Sequence, residues 1–204
     1  MQVVLNRRTT RAGCVGMSVG IAALLMLGGP AVASASASSV VPATAVSKAT
    51  SASKKAVSEK FDAQVSESGK YMRTSSDGSV YFDTTAARAA GASAEILDIG
   101  QTINQLASAQ DTAGNGAMAA RLSLPIWGNW CGPGHGAGPA LDVLDSICRK
   151  HDRCYGSRGY FACSCDRAIV SDIRQNAHRM KTRERATAAA VSTYFTYCLC
   201  NPLK

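Results

Sequence analysis

The chain has 204 residues, 46% of them hydrophobic and 18% charged, and its 22 basic and 14 acidic side chains give a net charge of +8. That is enough for a buried core in one or two small domains, and no collagen-like or coiled-coil pattern is present. The average conceals two unlike halves: Ala/Ser-rich stretches lie mostly before Arg121, whereas seven of the eight cysteines fall between Cys131 and Cys200.

The chain opens with Arg7, Arg8 and Arg11, has no acid before Glu59, and runs through an apolar stretch from Val15 to Leu27. Gly28, Gly29 and Pro30 then break any helix, and Ala31, Ala33, Ala35 and Ala37 offer overlapping A-x-A cleavage sites. This layout predicts an export signal over 1–35 and a secreted, extracellular protein. The competing reading is an uncleaved anchor, but the apolar run is shorter than the roughly 20 residues that span a bilayer. Cys14 would leave with the leader. Loss of three arginines and no acids leaves a charge of +5 and seven cysteines. In an oxidising compartment disulfides are expected, and the odd count leaves one thiol free, shared between chains or in a larger assembly.

Residues 36–56 are rich in Ala, Ser, Val and Thr and poor in bulk, which predicts a flexible linker. Tyr71 to Thr74 and Ser79 to Phe82 flank Asp77-Gly78, a hairpin signal. Ser93 is a plausible N-cap for an amphipathic helix carrying Ile96, Leu97, Ile99, Ile103 and Leu106, broken by Thr112 to Gly116. Segment 36–120 has seven basic and eight acidic residues and neither His nor Cys, so no chemistry is found in it. A removable propeptide or accessory module and a spacer of mixed or little structure both fit. From Arg121 to Lys204, twelve basic and six acidic residues give a net +6, so the basic character belongs to the Cys-rich part.

After Gly138-Pro139, the residues Leu141, Leu144, Ile147, Cys148, His151 and Tyr155 recur at three- and four-residue steps and predict a helix with His151 on its buried stripe. A second helix is signalled from about Cys163, with Asp166, Ile169, Val170, Ile173 and Ala177 aligned in the same way. A lone His on an apolar face is commonly a core group, but a buried Asp on the adjacent helix supplies a partner that fixes its tautomer, as a general base requires. A bond between Cys154 and Cys165 would staple the two helices antiparallel. Cys148 can reach Cys131, and Cys163 can reach Cys198 or Cys200, with one thiol unassigned. The loop Trp127-Gly-Asn-Trp-Cys-Gly-Pro-Gly-His-Gly136 reads either as a turn or, with Asp152 as the nearby carboxylate, as a hard-cation loop for Ca2+.

Together these residues resemble secreted phospholipase A2. Asp145-Ser-Ile-Cys-Arg-Lys-His-Asp-Arg-Cys-Tyr155 is similar to that family's active-site helix, Asp-x-Cys-Cys-x-x-His-Asp-x-Cys-Tyr. Cys163-Ser-Cys-Asp166 is similar to its second-helix Cys-x-Cys-Asp, and Trp130-Cys-Gly-Pro-Gly134 to its calcium loop. The match covers about Trp127 to Asp166. It implies a catalytic domain over 121–204, mainly α, in which a Gly-rich calcium loop precedes a disulfide-linked antiparallel helix pair. It further implies that His151 activates water against the sn-2 ester of a glycerophospholipid and that Asp166 orients it, with Tyr155 supporting Asp166. Asp152 and the carbonyls of Trp130, Gly132 and Gly134 would hold Ca2+, the Gly132 amide would help hold the oxyanion, and Asp145 would be structural.

With three departures from that family's pattern, the resemblance is to its compact, divergent, microbial-type end. Ile147 stands where animal forms have a cysteine, no cysteine-bearing β-wing lies between Tyr155 and Cys163, and His135 follows the loop where Gly is common. His135 is left open between metal, headgroup and solvent. The expected partner is a phospholipid surface, favouring anionic lipid through Arg149, Lys150, Arg153, Arg158, Arg174, Arg179, Lys181, Arg183 and Arg185, with Trp127, Trp130 and Phe161 as interfacial aromatics. No nucleic acid is expected, and the protein is expected to be a monomer. Two other classes remain: a catalytically silent lipid- or receptor-binding module, and a zinc protein using Cys131, His135, Cys148, His151 and Cys154.

Overall fold

The structure is a computed structural model that describes residues 43–76, 78–114, 126–132, 136–198 and 200. The predicted export signal lies outside these residues, as do Gly134 and His135. Among the described residues the order is α1 (Ala43–Gly69), β1 (Met72–Thr74), β2 (Val80–Phe82), α2 (Thr84–Ala89), α3 (Ala94–Gly114), α4 (Val143–Arg158), α5 (Cys163–Asn176), a short 3-10 turn (Ala177–Arg179) and α6 (Thr182–Tyr197). The protein is therefore mainly α.

Helix α1 corrects the flexible-linker reading over 43–56. Its residues 51–56 are exposed, which is why no apolar period marks them, but Ala and Lys are good helix formers and carry the helix outward from a packed end. That end is fixed by Phe61, Gln64 and Ser68, buried at three- and four-residue steps. The hairpin follows as predicted: β1 and β2 pair antiparallel with Met72 opposite Phe82 and Thr74 opposite Val80, and Gly78 takes a left-handed φ of 87° in the turn. Asn104 of α3 binds both polar groups of the Phe82 backbone, accepting from its N–H at 2.8 Å and donating to its carbonyl at 3.0 Å, so α3 acts as a third partner for the hairpin. Ser93 caps α3 by accepting from the Ile96 amide, and the helix continues to Gly114, through the first part of the predicted break.

Helix α6 was not signalled by any apolar period. Its residues 188–194 are all buried, because it packs against α1, α3, α4 and α5 at once. The run Ala188-Ala-Ala190 lets neighbouring backbones approach closely. One hydrophobic core joins Phe61, Phe82, Ile99 and Ile103 to Leu144, Ile169, Ile173 and Val191. Of the two alternatives for the extension, mixed structure and little structure, the first holds: residues 43–114 form helices and a hairpin that share a core with the Cys-rich part through α6.

Candidate active site

Helix α4 starts where Asp142 accepts the Asp145 amide at 3.0 Å and ends at Gly159, whose φ of 87° stops the helix. Glu184, in the first turn of α6, is buried and accepts from the Leu144 amide at 2.9 Å and from the Lys181 amide at 3.1 Å. One carboxylate therefore serves the N-termini of two helices, where the helix dipole favours negative charge. Sequence reasoning missed it, although Lys181 to Glu184 has the spacing of a capping box.

Two stripes of α4 do different work. The stripe through Ile147, His151 and Cys154 faces α5. Cys154 is bonded to Cys165, with Cα atoms 5.7 Å apart, His151 Nε2 lies 3.1 Å from Asp166 Oδ1, and Lys150 Nζ lies 2.7 Å from Asp172 Oδ2. The pairs descend along α4 as they ascend along α5. His151 and Asp166 are only 5% and 2% exposed, so the contact between them is shielded from water. The Tyr155 hydroxyl also donates to Asp166 Oδ1. Burial, then the neighbouring Asp166 charge, pushes the Tyr155 phenol upward, so it stays a donor. The His151 ring is held between Tyr155, at a centroid distance of 4.2 Å, and Phe195 of α6, at 4.7 Å. Phe195 was not foreseen, because nothing in the sequence places α6 over α4.

The second stripe, through Asp145, Cys148 and Asp152, faces the Gly-rich loop. Cys148 is bonded to Cys131, with Cα atoms 5.2 Å apart, which ties the Gly-rich loop to α4 about one helical turn before Asp152. Asp152 is 4% exposed, and among the described residues neither carboxylate oxygen has a hydrogen-bond partner. Burial, with the Asp145 charge added, pushes its carboxyl up to about 8. A buried carboxylate left unpaired either keeps its proton or takes a cation. No three His, Cys, Asp or Glu side chains converge among the described residues, so a cation here would draw its other ligands from backbone carbonyls, as hard cations accept.

The third disulfide joins Cys163 to Cys200, and no described cysteine, Cys198 included, is free. That excludes the zinc reading, since Cys131, Cys148 and Cys154 are all bonded to sulfur. Two further expectations are corrected. Leu141 lies before α4 and is 65% exposed instead of belonging to the buried stripe. Trp130, expected at an interface, is instead buried, with its indole N–H on the Gly138 carbonyl and Arg149 over its ring; Trp127, half-buried, donates to Asp142.

Over 63 residues the chain is 32% identical to the acidic phospholipase A2 homolog taipoxin gamma chain of Oxyuranus scutellatus scutellatus. The match covers 31% of this chain and 40% of that relative, so it suggests a phospholipase A2-like scaffold and leaves activity open. No family model and no solved structure matches the chain. No described helix is long and apolar enough to cross a membrane.

Proposed function

We propose that the protein is an exported, calcium-dependent phospholipase A2 that cleaves the sn-2 ester of glycerophospholipids to a lysophospholipid and a fatty acid. The observation that carries this reading is the pairing of His151 with Asp166 directly beside a buried, unpartnered Asp152 carboxylate. Asp166 fixes the proton on His151 Nε2, which leaves Nδ1 as the base that takes a proton from water. Tyr155 occupies the same Asp166 oxygen and keeps it from turning away. Phe195 and Tyr155 both pack against the imidazole and restrain it. The left-handed φ of 132° at Gly132 suits a backbone amide turned toward a developing oxyanion.

The unpartnered Asp152 oxygens fit a hard cation. Asp152 and the carbonyls of Trp130 and Gly132 would hold Ca2+; the resemblance adds Gly134, which lies outside the described residues. When bound, the ion would supply polarisation of the ester carbonyl. Arg153, Arg158 and Arg167 are exposed and form no ion pair among the described residues. They sit where Cys154 and Cys165 join the two helices, and support a cationic face toward anionic lipid. Other members of the basic set are engaged within the fold: Arg174 by Asp62, Lys150 by Asp172, and Arg179 by Asn176.

Mixed phosphatidylcholine and phosphatidylglycerol vesicles test the reading. Fatty acid from the sn-2 position should appear with Ca2+, stop with chelator, and fall by about 100-fold or more in His151→Gln. Vesicle binding with no acid released in any condition would favour the silent binding module. Release indifferent to chelator and to His151→Gln would contradict both the base and the metal.

A further inference from the structure

Asp145 is fully buried and has no cationic side chain paired with it among the described residues. What holds it is main chain. Its Oδ1 accepts the Asn129 amide at 3.0 Å and the Trp130 amide at 2.7 Å. Its Oδ2 accepts the Leu141 amide at 2.8 Å, with a weaker share of the Asn129 amide at 3.1 Å. The two oxygens thus grip opposite ends of the chain segment 129–141. Two side-chain bonds span the same ends: the Asn129 amide group donates to the Pro139 carbonyl at 2.8 Å, and the Trp130 indole to the Gly138 carbonyl at 3.1 Å.

The fit around the carboxylate is close. Gly128 has a φ of 57°, and a Cβ there would run into the Asp145 carboxylate. Asp145 also lies two turns before Asp152 on the same stripe of α4, near enough that its charge raises the Asp152 carboxyl.

We propose that Asp145 is a positioning residue: by holding the Asn129 and Trp130 amides against that of Leu141, it presets the main chain at Trp130 and Gly132 for a divalent cation at Asp152. The cation part rests on the calcium reading above. A carboxylate is needed because it only accepts: both oxygens face N–H groups. An Asn in the same space has one oxygen and one NH2, so whichever way it turns, a donor meets a donor and one loop end is released.

Two variants of the full-length protein separate position from charge. Asp145→Asn keeps the shape and removes the charge; Gly128→Ala keeps the charge and displaces the carboxylate. Amide hydrogen exchange by NMR should show one loop end, either Asn129 and Trp130 or Leu141, losing protection in Asp145→Asn while the middle of α4 keeps it. Calcium calorimetry should show affinity about tenfold or more weaker in both variants. Unchanged protection at both ends in Asp145→Asn, or wild-type calcium affinity in Gly128→Ala, would overturn the proposal. So would protection lost evenly through α4, which marks a general structural role. A wild type that takes up no calcium overturns the calcium reading, and amide exchange alone then decides the loop-tying role.

Discussion

The two halves of the molecule are held by different physics. Residues 43–114 contain no cysteine, and none of their described charged side chains is buried; Phe61, Phe82, Ile99 and Ile103 hold them by apolar packing. In residues 126–200 three disulfides enclose Asp145, His151, Asp152, Asp166 and Glu184, all buried. Three of the four carboxylates are matched: Asp145 and Glu184 by main-chain amides, Asp166 by His151 and Tyr155. Asp152 is not. Where a fold bears ionisable groups in its interior, the one left without a partner is the one that points to a ligand.

The contrast is sharpened most strongly at Asp152. Its carboxyl, at about 8 in the folded chain against an ordinary 3.8, keeps a proton that the unfolded chain loses. The unfolded state therefore binds fewer protons between about pH 4 and 8, and the stability of the metal-free protein should fall as pH rises through that window. Denaturant titrations across pH should show Asp152→Asn flattening the slope, with a gain on the order of 5 kcal/mol at the alkaline end.

Next in size are the apolar contacts of the first half. Ile103→Ala should cost about 2–5 kcal/mol and lower a single thermal transition shared by both halves, because α3 and α6 lie in one core. Two separate transitions by calorimetry would break the shared-core account. Replacing Cys154 and Cys165 together with Ser should cost about 2–3 kcal/mol, seen as a shift in denaturant midpoint. Asn104→Ala removes both bonds to the Phe82 backbone and should cost about 1 kcal/mol, with amide protection lost first at Phe82.

Legibility in the sequence followed the same division. Helices α4 and α5 were readable because each buries one stripe, and the cysteines gave their pairing. The His151 and Asp166 meeting was readable because two ionisable residues fell on facing apolar stripes. Helix α6 was not, since burial on every side erases the period that marks an amphipathic helix. Residues 51–56 of α1 were not, since all six are exposed. The work of Asp145 and Glu184 was hidden for another reason: their partners are main-chain amides, which every residue carries and no side-chain pattern announces.

The most direct measurement is a calcium titration of the metal-free protein by calorimetry near pH 7, run in two buffers of different ionisation heat. The account expects one ion per chain, with release of a proton as Asp152 ionises, and no binding in Asp152→Asn. Absence of binding in the wild type, or binding that survives Asp152→Asn, would contradict it.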